Sequence, residues 1–173
     1  GRACVLTVTV QNPANSQAAP SVTVAAAILA SGGLDVGSID PVMMTTPGTD
    51  LYGVINGLDV LRVEEPEFTV KSIKQSTPVS NAANTLIVTL IANYNLASGS
   101  TVTITGLTGS QTTDTTNLQV ASESCFLESG VWTNNFGQLV LTVAEGGTEA
   151  RSACEVIFSL LNSADDQLSP SVG

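Results

Sequence analysis

Histidine is absent from this chain of 173 residues, and five basic residues stand against fifteen acidic ones. Without histidine the chain lacks the commonest general base near neutral pH and the commonest zinc ligand. A Ser-His-Asp or Cys-His triad built from its own residues is excluded. Five scattered cations do not form the basic patch that phosphate backbones require, and the net charge is −10. Nucleic acid is therefore not an expected partner. Aromatic residues make up only 4% of the chain, with one Trp, two Tyr and four Phe. That is poor material for the sugar platforms beside a glycosidase carboxylate pair. Apolar runs are short: the longest, 22–30, ends at Ser31-Gly32-Gly33, so no membrane span is expected. Neither a G-x-x-x-x-G-K-[ST] loop nor a G-x-G-x-x-G turn before a helix occurs. No enzymatic activity and no cofactor are expected. The chain opens on Gly1 without a basic and then apolar leader, so it reads as a piece processed or excised from something longer.

What the chain does have is alternation. β-Branched and apolar residues alternate with Thr and Ser, a period of two. Strands are predicted over 5–11, 22–29, 67–75, 85–93, 101–107, 118–122, 130–133, 139–144 and 155–162. Gly/Asn/Ser/Pro clusters separate them. Many short strands at this spacing predict an all-β fold of antiparallel, Ig-like β-sandwich modules. Residues 34–63 differ. They carry Pro41, Pro47, Gly48, Gly53 and Gly57 without a sustained period, with short strands expected at 53–55 and 59–63.

A repeat joins the two ends of the chain. Residues 3–22, ACVLTVTVQNPANSQAAPSV, align without a gap to 153–172, ACEVIFSLLNSADDQLSPSV. The offset is 153 − 3 = 150, and eight of twenty positions are identical, among them Cys4/Cys154, Asn12/Asn162 and Gln17/Gln167. The simplest reading is a head-to-tail tandem array with a period of about 150 residues. The other is a subunit whose two ends carry interchangeable strands. The acidic, proline-bearing segment Glu64-Glu65-Pro66-Glu67 is the expected boundary. Residues 1–65 are then the C-terminal part of one repeat and 66–173 the N-terminal part of the next. Alternatively, residues 3–29 share one core with the strands that follow.

The repeat also bears on the three cysteines. Cys125 and Cys154 lie 29 apart, and Cys4 is the counterpart of Cys154. A Cys125–Cys154 disulfide is predicted, with Cys4 bonded to a cysteine of the preceding repeat. Such bonds point to an oxidising, extracellular or cell-surface setting. Three buried free cysteines acting as small hydrophobes are the alternative.

The strings FTVKSIKQSTP from Phe68, NTLIVTLIANYNLASGSTVTITGLTGSQT from Asn84, GQLVLTVAEGGT from Gly137 and ACEVIFSLLN from Ala153 carry a resemblance. The chain resembles the tandem Thr/Ser-rich β-sandwich repeats of very large secreted or surface proteins of unicellular algae and related protists. The resemblance covers most of the chain, and GSTVTITGLTGS is its most distinctive string. It implies a structural repeat of an extracellular fibre or coat, with no catalytic residues to carry over.

Remaining candidates are few. Glu64, Glu65 and Asp165 could supply oxygens to a Ca²⁺ ion that stiffens a linker, though no EF-hand spacing is present and a solvated acidic loop is the plainer reading. Tyr52, Tyr94 and Trp132 are the available aromatics for an adhesin or carbohydrate-binding module, the alternative function, with glycans as partners. Trp132 also reads as a core anchor. No N-x-[ST] sequon occurs, while the Thr-rich string from Thr112 to Thr116 offers O-glycan acceptors. The strands expected to form junctions between modules carry Val5, Leu6, Val8 and Val10 at one end and Val156, Phe158 and Leu160 at the other. Identical or homologous repeats are the expected partners.

Overall fold

A computed structural model describes residues 3–170 and Val172. Ser171, one of the identical repeat positions, lies outside the described residues. The chain divides into two compact units, Gly1–Glu65 and Pro66–Gly173. The division falls within the acidic, proline-bearing segment. Among the described residues the regular structure is antiparallel strand, with a single 3-10 turn at Asn134–Phe136. No helix among them is long and apolar enough to cross a membrane.

The first unit holds one hairpin, β1 (Thr23–Leu29) and β2 (Asp35–Met43). Its turn contains Gly32 and Gly33, both at positive φ, which a residue with a Cβ adopts at a cost. The ladder is irregular between Val24 and Ala26 and again between Ile28 and Leu29. Strand β2 escapes a periodicity reading because Asp35, Gly37, Asp40 and Pro41 interrupt its apolar pattern. Proline is tolerated there because a two-stranded sheet is all edge. The short strands expected at 53–55 and 59–63 are instead turns, with isolated bridges joining Leu51 to Val54 and Gln17 to Val63. Tyr52, Asn56 and Leu61 adopt positive φ in that stretch, which breaks any extended run.

The strand expected over 5–11 is not formed: residues 3–13 make no ladder or bridge. Its alternation is correct for a strand, but a strand needs a neighbour to take its backbone N–H and C=O groups. Within this unit Val54 is the one buried apolar side chain among the described residues.

The second unit is built differently. Its strands are β3 (Phe68–Gln75), β4 (Ala83–Ala92), β5 (Thr101–Ile104), β6 (Thr115–Ser122), β7 (Ser129–Thr133), β8 (Gln138–Thr142) and β9 (Ala153–Leu161). They form a seven-stranded antiparallel sheet in the order β3-β4-β9-β6-β7-β8-β5. Strand β6 changes partner along its length. Thr115–Gln119 face β7, and Val120, Ala121 and Ser122 face β9. Period-two alternation sends one face of each inner strand into a common core. Leu86, Val88 and Leu90 of β4 join Val102 and Ile104 of β5, Trp132 of β7, Leu139 and Leu141 of β8, and Val156, Phe158 and Leu160 of β9. Trp132 is 0% exposed, and its indole Nε1 donates to the carbonyl of Thr112 at 3.0 Å. The one polar atom of this large side chain is thereby satisfied.

Gly137 shows how tightly the β7–β8 connection packs. It sits at φ +53°, and a Cβ there would lie 2.4 Å from the carbonyl carbon of Leu107. Both the backbone conformation and the available space demand glycine.

The core predicts a contrast between two leucines. Leu139→Ala removes a fully buried side chain and is expected to cost about 2–5 kcal/mol. Leu127→Ala, at an exposed position, is expected to stay within about 0.5 kcal/mol. Urea unfolding followed by Trp132 fluorescence reads both.

Candidate functional site

Strand β9 and its surroundings concentrate the chemistry of the second unit. It lies between β4 and β6. Nine consecutive residue pairs join it to β4, from Ala83 opposite Leu161 to Ile91 opposite Ala153. Three pairs join it to β6. Phe158 therefore has Leu86 on one side and Val120 on the other, all three buried. Such cross-strand apolar rows are the unit of sheet stabilisation.

Two polar devices fix the ends of β9. At its start, Cys154 is disulfide-bonded to Cys125, with the Cα atoms 5.9 Å apart. The bond ties the β6–β7 loop to the central strand. Closing the loop of 29 residues stabilises by about 3.5 kcal/mol in the chain-entropy picture. At its end, Asn162 meets Asn84 of β4. The Asn84 side-chain amide donates to Asn162 Oδ1 and to Gln75 Oε1, both at 2.8 Å. Its carbonyl oxygen accepts from the backbone N–H of Ser76 at 3.1 Å and of Thr77 at 3.2 Å. Asn162 in turn donates to the carbonyls of Thr77 and Val79, at 3.1 and 2.8 Å. Asn84 is buried, so each of these bonds replaces water. This network was not foreseen from sequence; the identity of Asn12 and Asn162 in the repeat was the available signal.

The other candidates separate. Val156, Phe158 and Leu160 lie inside the core of their own unit, held on both sides, rather than free for a junction. Val5, Leu6, Val8 and Val10 are exposed and belong to no strand. Cys4 is a free, exposed thiol. Glu64 lies 4.0 Å from Arg62, and Glu65 takes its backbone N–H to Ser16 Oγ at 3.0 Å. Asp165 belongs to the second unit, where its backbone N–H donates to Ser163 Oγ at 3.2 Å. Among the described residues no group of three or more acidic or cysteine side chains could hold a metal ion. Of the aromatics, Tyr52 is exposed, Tyr94 half-buried and Trp132 enclosed in the core. Trp132 is thus unavailable to a sugar. In the Thr-rich string, Thr112 is engaged: its carbonyl accepts from Trp132 and its hydroxyl from the N–H of Leu161 at 2.8 Å.

One cleft of about 290 Å³ opens beside β9, lined by Asn84, Leu86, Leu107, Leu160, Gln167 and Val172. Among the described residues its lining carries one charged side chain, Lys74, and no carboxylate or thiol. Gln167 lies close against Gly109, where a Cβ would collide with its side-chain amide. The chain after β9 thus lines one wall of the cleft. No family model, curated protein or solved structure matches the chain.

The Asn84–Asn162 network predicts that Asn84→Ala, which removes the acceptor of the Thr77 N–H and a partner of Asn162, costs about 1–3 kcal/mol. Reducing the disulfide is expected to lower stability by about 3.5 kcal/mol without abolishing the strand signature. Thermal unfolding followed by circular dichroism, with and without reductant, measures both.

Proposed function

We propose that this chain is a structural repeat of an extracellular filament or cell-surface coat, built from Ig-like β-sandwich modules joined head to tail. One observation carries the reading. The second unit closes a core of its own, whereas the first, among the described residues, buries a single apolar side chain, Val54, and exposes Val5, Leu6, Val24, Leu29, Val36 and Met43 among others. Apolar surface on this scale marks contact with other protein. A unit of this kind is stabilised by its neighbours, as in arrays where each repeat contacts only the next.

The burial pattern supports the sandwich form. No helix of more than one turn packs on the seven-stranded sheet within its unit, yet one face of it is buried. A sheet folded over on itself accounts for that. The change of partner along β6 supports that reading. The equivalence of 3–22 with 153–172 makes the neighbour another repeat of the same kind. Strand addition is the means by which modules join, with the alternating segment through Val5, Leu6, Val8 and Val10 as donor. Disulfide bonding fits an oxidising compartment outside the cell. The carbohydrate-binding alternative loses Trp132, which is enclosed, and of its three candidate aromatics keeps Tyr52 exposed.

In the native material, electron microscopy is expected to show a periodic filament or coat whose axial repeat matches the module. Isolated globules would overturn the proposal. Removing residues 3–22 is expected to abolish fibre formation.

A further inference from the structure

We infer that residues 3–12 are a strand of the β9 type, and that they take the β9 position of a second copy of the module, between its β4 and β6, with Cys4 bonded to that copy's Cys125. The inference rests on the repeat reading above and deepens it by naming the contact through which copies meet.

The match is residue by residue. Leu6, Val8 and Val10 correspond to Val156, Phe158 and Leu160 at the offset of 150 (153 − 3). In β9 those three are 0%, 2% and 7% exposed; in 3–12 their counterparts are 86%, 72% and 59% exposed. Side chains patterned for a core stand in water. Cys4 corresponds to the bonded Cys154 and is itself free. Asn12 corresponds to Asn162, whose amide reaches Asn84 and the carbonyls of Thr77 and Val79. A thiol at the start, three apolar residues on one face and an amide at the end recur at the same spacing. Those are the buried side chains and the end groups by which the β4–β6 gap holds its present occupant.

The outward face agrees as well. Glu155 and Ser159 point away from the core and are exposed, and their counterparts Val5 and Thr9 would face solvent in the same way. The fit is not perfect. Val8 is smaller than Phe158 and Leu6 larger than Val156, so β9 outcompetes 3–12 for the gap in its own module. The second copy accepts 3–12 when its own β9 is displaced or disabled.

The bond itself is ordinary thiol–disulfide exchange. In a glutathione buffer, the Cys4 thiol loses its proton and the thiolate attacks the Cys125 sulfur of a Cys125–glutathione mixed disulfide. The Cys4–Cys125 bond forms, the bond to glutathione breaks, and glutathione leaves as its thiolate. Glutathione disulfide is the oxidant, and two glutathiones are produced for each protein disulfide formed.

The test uses the whole chain. It is reduced, unfolded and reoxidised in a glutathione buffer at rising protein concentration, and the disulfides of monomers and multimers are mapped by mass spectrometry. Multimers carrying Cys4–Cys125 are expected as a minority that grows with concentration. Leu6→Asp with Val8→Asp, on the core-facing side, is expected to deplete them at least tenfold. Val5→Glu, which copies Glu155, is expected to leave them unchanged. Phe158→Asp with Cys154→Ser, which disables the resident strand, is expected to raise them severalfold. Multimers linked only through Cys4–Cys4, Cys4–Cys125 bonds confined to monomers, or links indifferent to the Asp substitutions would overturn the inference. Strand exchange is read on the isolated chain and filament formation on the native material, so either can fail without the other.

Discussion

The second unit depends on one strand being in the middle. β9 is the last strand in sequence and a central one in the sheet. Both of its neighbours, β4 and β6, lose a ladder without it, and Phe158 is the side chain on which Leu86 and Val120 converge. Because the central strand is last in sequence, the core closes only through contacts between segments far apart along the chain. Such non-local closure slows folding and leaves an apolar gap open in the meantime. The disulfide at Cys154 and the amide network at Asn162 lock the strand at each end once it has entered.

The first unit presents the opposite case. Its hairpin is exposed on both faces, and an isolated two-stranded hairpin is marginal in water. Local polar bonds hold its turns, such as the Gly48 N–H to Asp59 and the Asn56 N–H to Asp50. These shape the backbone but bury little. Stability that is missing inside a unit and apolar surface present on its outside are two aspects of one arrangement. In the proposed array both are satisfied by the neighbouring copy. An acidic chain with few cations gains little from salt bridges, so apolar surface and strand pairing are the means of contact that remain.

Much of the second unit was legible in the sequence. β4, β7, β8 and β9 lie within a residue or two of the predicted strands, because period-two alternation reports a half-buried face directly. The Cys125–Cys154 bond was legible because the repeat sets Cys4 apart as a counterpart of Cys154. The first unit was less readable. β2 was missed because Gly37 and Pro41 sit within it, and residues 53–63 form turns where strands were expected. The segment 5–11 is the instructive error. Its pattern is as clear as that of β9, yet it forms no strand in the absence of a partner.

The sequence by itself determined most strands of the second unit and pointed to the Cys125–Cys154 pair, and it carries the match of 3–22 to 153–172. Those properties are local, or follow from comparing the chain with itself. Only the tertiary structure decided that β9 lies between β4 and β6 and how its ends are held. Position in a sheet depends on backbone partners far away in the chain. A strand's side-chain pattern says that it has a face to bury, and its neighbours decide where that face goes.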